Sequence, residues 1–180
     1  TVVGATTSAG GAQGLTVNAG TGVITVASVG GGTGLNDVSF SSNTMTVANV
    51  DATSSVTFNP TTSGTVGLIT GNSTQLIKNG AGVMTLTAAN TYAGATTINA
   101  GTLKVNGTGS LGTGTYAGAI TLGTTAVNNP EFQYSSSTAQ TLSGAIGGGV
   151  AGQTVLAKDS SSTSTLTLTG INTFAGNTVI

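Results

Sequence analysis

The chain lacks cysteine, histidine, tryptophan and arginine altogether, and it holds only two prolines, Pro60 and Pro130, in 180 residues. Without cysteine there is no disulfide framework, and without cysteine and histidine the usual zinc, haem and iron–sulfur ligand sets are excluded. Charge is scarce too. The ionisable residues are Lys78, Lys104, Lys158, Asp37, Asp51, Glu131 and Asp159, or 4% of the chain, against about 25% in an ordinary soluble domain. A net charge of -1 with no arginine leaves nothing to grip a phosphate backbone, so nucleic acid is not expected as a partner. No apolar run approaches the roughly 18 residues of a membrane helix, so membrane insertion is not expected and the chain reads as soluble. It starts Thr1-Val2-Val3-Gly4, with neither an initiator Met nor a charged signal region, and is expected to be a processed or excised part of a longer protein.

What fills the space left by charge is Thr, Ser, Asn and 30 glycines, with 37% hydrophobic residues. The Val, Ile and Leu content argues for a packed core rather than disorder. Apolar residues alternate with Thr or Ser in short runs such as Met45-Thr46-Val47, Met84-Thr85-Leu86-Thr87 and Thr165-Leu166-Thr167-Leu168-Thr169, which is the period of strands with one buried face. Between them lie turn-forming clusters, including Asn79-Gly80, Asn106-Gly107 and Gly147-Gly148-Gly149.

Two scales of repeat organise these strands. Residues 84–98, MTLTAANTYAGATTI, match residues 166–180, LTLTGINTFAGNTVI, at an offset of 82 (166 minus 84). The alternation predicts that 83–87 and 165–169 are equivalent rungs, with Met84, Leu86, Leu166 and Leu168 buried. A shorter echo recurs as Thr91-Tyr92-Ala93-Gly94, Thr115-Tyr116-Ala117-Gly118, Thr141-Leu142-Ser143-Gly144 and Thr173-Phe174-Ala175-Gly176. This irregular period of two to three dozen residues suits a coil of a β-solenoid, which buries its apolar side only by stacking on its neighbours. An antiparallel β-sandwich is the alternative, but it gives no reason for one motif to recur.

The segment Leu76-Ile77-Lys78-Asn79-Gly80-Ala81-Gly82-Val83-Met84-Thr85-Leu86-Thr87-Ala88-Ala89-Asn90-Thr91-Tyr92-Ala93-Gly94-Ala95-Thr96-Thr97-Ile98-Asn99-Ala100-Gly101-Thr102-Leu103 resembles the autotransporter-associated β-strand repeat of Gram-negative passenger domains. Its second half recurs at 166–180, with Lys158 standing in for Lys78. The resemblance implies a right-handed parallel β-helix, export across an outer membrane through a translocator barrel, and display or release at the cell surface. It implies a scaffold rather than an activity.

Candidate site residues are few. Asn90 and Asn172 occupy equivalent positions, as do Asn18 and Asn99; they read as corner asparagines that adopt left-handed geometry and bond their own turn and the next copy, rather than as a ligand ladder. Tyr92 and Phe174 read as packing rather than as a carbohydrate platform, because one lacks the hydroxyl of the other. Gly31-Gly32-Thr33-Gly34-Leu35-Asn36-Asp37 looks like one degenerate calcium-binding turn, and without a second copy it reads as a plain glycine turn that needs no calcium. Lys78, Lys104 and Lys158 are candidates for isopeptide bonds, though two of them simply recur as a repeat position. The acids at 37, 51, 131 and 159 are scattered, with no His, Cys or Arg to work beside them, so neither lyase nor hydrolase chemistry is expected. The sequence therefore assigns no catalytic, cofactor-binding or metal-binding residue. It reads as one repetitive solenoid segment over 1–180, serving as an extracellular stalk or filament unit that associates end to end. A surface adhesin for host polymer or glycan is the alternative, and Glu131-Phe132-Gln133-Tyr134 is the one stretch offering it a patch.

Overall fold

The computed structural model describes residues 5–6, 13–30, 35–159 and 163–180. They form a parallel β-solenoid of about 7 turns. Every strand pairing among the described residues is parallel, which a β-sandwich built of antiparallel sheets does not allow.

Three sides make up each coil. The first face stacks Leu15–Asn18, residues 38–41 and 55–58, Gln75–Lys78, Thr96–Ile98, Ile120–Leu122 and Ile146–Gly148. The second stacks Val23–Val29, residues 44–47 and 63–66, Val83–Leu86, Thr102–Gly107, Glu131–Ser136, Thr154–Lys158 and Asn177–Val179. The third side is shorter, with Ala89–Asn90 on Ser110–Leu111, and Thr115–Tyr116, Gln140–Leu142 and Leu166–Leu168 in a second small sheet. The strand Leu35–Thr70 runs 36 residues without a break and supplies rungs to both large faces in succession.

Alternation decides what is inside. Val38 and Phe40, Val56 and Phe58, Met84 and Leu86, Leu103 and Val105, and Phe132 and Tyr134 are all buried, while the residues between them, Ser39, Thr57, Thr85, Lys104 and Gln133, face outward. Each fully buried Val, Leu, Ile or Phe contributes about 1.5–3 kcal/mol. The stacking also brings aromatic rings together, with Phe40 stacked on Phe58 at 5.7 Å.

Coil length differs from the expected two to three dozen residues in the early part of the stack. There, side-chain bonds between successive coils join residues 18 apart, Ser55 to Asp37 and Asn59 to Ser41; later they join residues 29 apart, as at Leu111 and Gln140.

The two long-repeat copies do not occupy equivalent rungs. Val83–Leu86 lies on the second face and Leu166–Leu168 on the third side; Met84 and Leu86 are buried, but Leu166 is half-buried and Leu168 exposed. The alternation itself holds, since Thr167 faces outward. The reason for the shift is arithmetic. On the second face Met84 is followed by Leu103, Phe132 and Leu156, so whole coils bring the chain back after 72 residues (156 minus 84). An offset of 82 overshoots by 10 and carries the copy onto the next side. The fourth member of the short echo moves as well. Thr141 stacks under Thr167 and Leu142 under Leu168, an offset of 26 (167 minus 141), so residues 167–170 continue the column in place of 173–176.

Candidate functional site

The polar side chains gather at the corners, and there they bond from coil to coil. At the corner between the first and second faces, Asn18 Oδ1 accepts from the Gly20 amide at 2.9 Å, Asn59 Nδ2 donates to Ser41 Oγ at 2.8 Å and Asn99 Nδ2 donates to Asn79 Oδ1 at 2.7 Å. The expected bonding of asparagines within their turn and between copies is therefore present. Left-handed geometry at the asparagine is not: at Asn18-Ala19-Gly20 and Asn99-Ala100-Gly101 it is Gly20 (φ 54°) and Gly101 (φ 63°) that adopt it, because glycine has no Cβ to clash there. Asn18, Ser41, Asn59, Asn79, Thr21 and Thr61 border a shallow open hollow of about 490 Å³ running across four coils.

At the other corners a buried amide does the joining. Asn90, fully buried, accepts from the Ile69 amide at 2.8 Å and donates through Nδ2 to Ala88 O and Ser110 O. Asn172 Oδ1 accepts from the Ile146 amide at 2.8 Å, the same bond in a different place. Gln140 repeats it, accepting from the Leu111 amide at 2.8 Å and donating to Leu111 O. Gln140 was missed at the sequence level, although it precedes Thr141 as Asn90 precedes Thr91 and Asn172 precedes Thr173. An amide before threonine is not enough to find it, since Asn43-Thr44 and Gln153-Thr154 share the pattern and bond otherwise. Asn90 and Gln140, both buried, each satisfy a backbone N–H that the corner would otherwise orphan, a cost of about 1–3 kcal/mol.

Tyr92 is buried and packs edge-on against Tyr116, ring centroids 5.6 Å apart. Tyr116 donates to Gly94 O, so its own oxygen accepts from Thr96 Oγ1 at 2.8 Å, which leaves Thr96 to accept from Tyr92 at 2.9 Å. One proton per hydroxyl fixes that direction. Burial pushes the Tyr92 phenol well above its usual range and that of Tyr116 up to about 12. Phe174 does not coincide with Tyr92: it is half-buried against the core, on a backbone that follows Ile146–Gly148. Both aromatics serve packing.

Lys78 sits inside the core, fully buried, in the column of Phe58 and Ile98. Its ammonium donates to Gly80 O and, at 2.9 Å, to Ala100 O, and burial lowers its pKa to about 8. Lys158 does not stand in for it. That side chain is half-buried on the second face, beside Tyr134, and donates to Asp159 O at 3.0 Å. Lys104 is half-buried on the outside of the same face, opposite Gln133.

The acids are used by the ladders. Asp37 accepts from Ser55 at 2.7 Å and from Asn36 at 3.0 Å; Asp51 accepts from Thr70 at 2.9 Å. Burial raises the Glu131 pKa. Phe132 and Tyr134, the aromatics of the stretch offered for adhesion, point into the core, so only Glu131 and Gln133 remain outside, both half-buried. Of the glycine turn at 31–37, residues 31–34 lie outside the described residues. Among the described residues no helix is long and apolar enough to cross a membrane.

The family model of the passenger-associated transport repeat matches residues 76–105 and 161–180. The first match runs round about one and a half coils, from Leu76 on the first face to Val105 on the second. No curated protein and no solved structure gives a match.

Proposed function

We propose, for a chain that carries autotransporter passenger repeats on a parallel solenoid, that it is an extracellular structural stalk segment which continues its stack end to end, displayed at or released from the bacterial surface after export through a translocator barrel. The observation that carries this reading is the single core running through the coils, closed by side-chain bonds between neighbours and covered outside mainly by uncharged residues, Thr, Ser and Asn foremost. Such an array extends a chain at about 4.8 Å per coil and needs no other partner along its sides. Support for end-on continuation comes from the parallel stack itself, in which each coil buries its apolar residues against the one before it and is covered by the one after.

The reading includes the absence of catalysis, supported by Asp37, Asp51 and Glu131 each accepting from a hydroxyl of a neighbouring coil. Adhesion to a polymer loses its best support with Phe132 and Tyr134 facing inward. Electron microscopy and solution scattering on the full chain at rising concentration test the stalk: rods of constant width that lengthen with concentration are expected. Monodisperse single solenoids at every concentration would remove the end-to-end claim.

A further inference from the structure

The outer side of the second face carries a regular array over its first four coils. Thr25 pairs with Thr46, and Thr65 with Thr85. The Gly64 position lies against both Met45 and Met84, which seats residues 44–47 on 63–66 and makes Thr25, Thr46, Thr65 and Thr85 one column. Two residues before each stand Val23, Thr44, Ser63 and Val83, and two residues after stand the small Ala27, Ala48 and Gly67, with Thr87 in the fourth coil. Repeats of about 4.8 Å across the strands and about 6.8 Å along them follow from sheet geometry.

Three properties of this array call for an explanation. Its apolar component is exposed, Val23 at 61% and Val83 at 38%. Its outward positions from 23 to 87 carry no charge; the first charged residue is Lys104, in the following coil against Thr85. And among the described residues the hydroxyls of Thr25, Thr46, Thr65 and Thr85 make no hydrogen bond within the protein, whereas the corner beside them bonds Asn59 to Ser41 and Asn99 to Asn79.

We infer that this face binds ice. A neutral array is complementary to a neutral lattice whose surface alternates donors and acceptors, and not to a phosphate polymer or an anionic membrane, both of which need cations. Sugar rings would want an aromatic platform, and the aromatics of this face are inside. Threonine suits ordered water because its methyl group confines a water cage while its hydroxyl anchors it, and β-branching restricts the rotamers open to both. The rigid parallel stack fixes those groups in two dimensions, so the entropy of ordering a flexible surface is not lost on binding. The inference is independent of the stalk reading, since a stalk with this face inert is equally stable.

The test uses the fluorescently labelled full chain in a slowly growing ice hemisphere, with melting curves to verify folding. The chain is expected to enter the ice, and Thr46→Lys and Thr65→Lys to be rejected from it, because a long charged side chain at the centre lifts the face off the lattice. Thr57→Lys, on the outside of the first face, should enter as the parent does. Should a lysine variant fail to fold, Thr65→Ser keeps the hydroxyl and removes the methyl, and weaker entry is expected. Rejection of the parent chain by the ice front overturns the inference, and so does an equal loss for Thr57→Lys and Thr65→Lys.

Discussion

The coils built from the strand Leu35–Thr70 advance by 18 to 20 residues and those after residue 106 by 22 to 29, yet both regions keep one core. In the first region, side-chain bonds join residues 18 to 22 apart along the stack; in the second they join residues 25 to 30 apart. The extra residues leave the stack at corners, as the short 3-10 turns Gly112–Gly114 and Ala126–Asn128. Thr113 (φ 55°) and Asn129 (φ 41°), the non-glycine left-handed residues among those described, belong to these same turns. Meanwhile Thr102–Gly107 and Glu131–Ser136 pair over six residues without a shift. The lesson is that faces are conserved by burial and corners absorb length, at small cost because a loop on the surface loses little by growing.

The comparison breaks first at its glycines. In the short coils a Cβ on Gly67 would stand 2.3 Å from Ala48 O, and in the long ones a Cβ on Gly144 would stand 2.2 Å from Gly118 O. Gly67→Val and Gly144→Val are each expected to destabilise by about 3 kcal/mol or more, since backbone rather than a yielding side chain is in the way. Thermal melting reads the effect, and a tolerated Gly144→Val would mean that the longer coils are loosely stacked.

A middle-sized effect compares one hydrogen bond in two settings. Asn90→Ala should cost about 2 kcal/mol by stranding the Ile69 amide inside the core. Asn172→Ala removes the same bond to Ile146, but its site is half-buried, water can replace it, and about 1 kcal/mol or less is expected. Urea midpoints for the two variants give the ratio; equal losses would show that burial does not set the worth of the bond.

The smallest effect is one of pH. The folded chain holds Lys78 at a pKa of about 8, below the ordinary 10.5, so between those values the unfolded chain binds a proton that the folded one does not, and stability rises with pH from about 8 to 10.5. Tyr92 and Tyr116 act oppositely. Their folded pKa values lie above the ordinary 10.0, so the unfolded chain ionises first and stability falls as pH passes about 10. The full chain should thus be most stable between the two, and Lys78→Met should abolish the rise while keeping the fall. A parent whose stability is flat from pH 8 to 10 contradicts the buried ammonium.

Strand-level features were legible because they are local. Met84-Thr85-Leu86 states its inside and outside by alternation alone, and the Asn-Ala-Gly corners announce themselves by composition. The burial of Lys78 was not legible, because a lysine in an alternating run looks the same whether it continues the apolar column or the wet one; the carbonyls of Gly80 and Ala100 that accept from it come from the turn and from the next coil. The joining role of Gln140 escaped for a related reason, since its partner Leu111 is 29 residues away. The sequence by itself determined the class of structure, through period-two burial, glycine corners and the near absence of charge. Only the tertiary structure decided which side each repeat copy occupies. Alternation fixes orientation within a strand, but the side on which a segment lands depends on the summed length of every corner before it, and an 82-residue offset is not a whole number of these unequal coils.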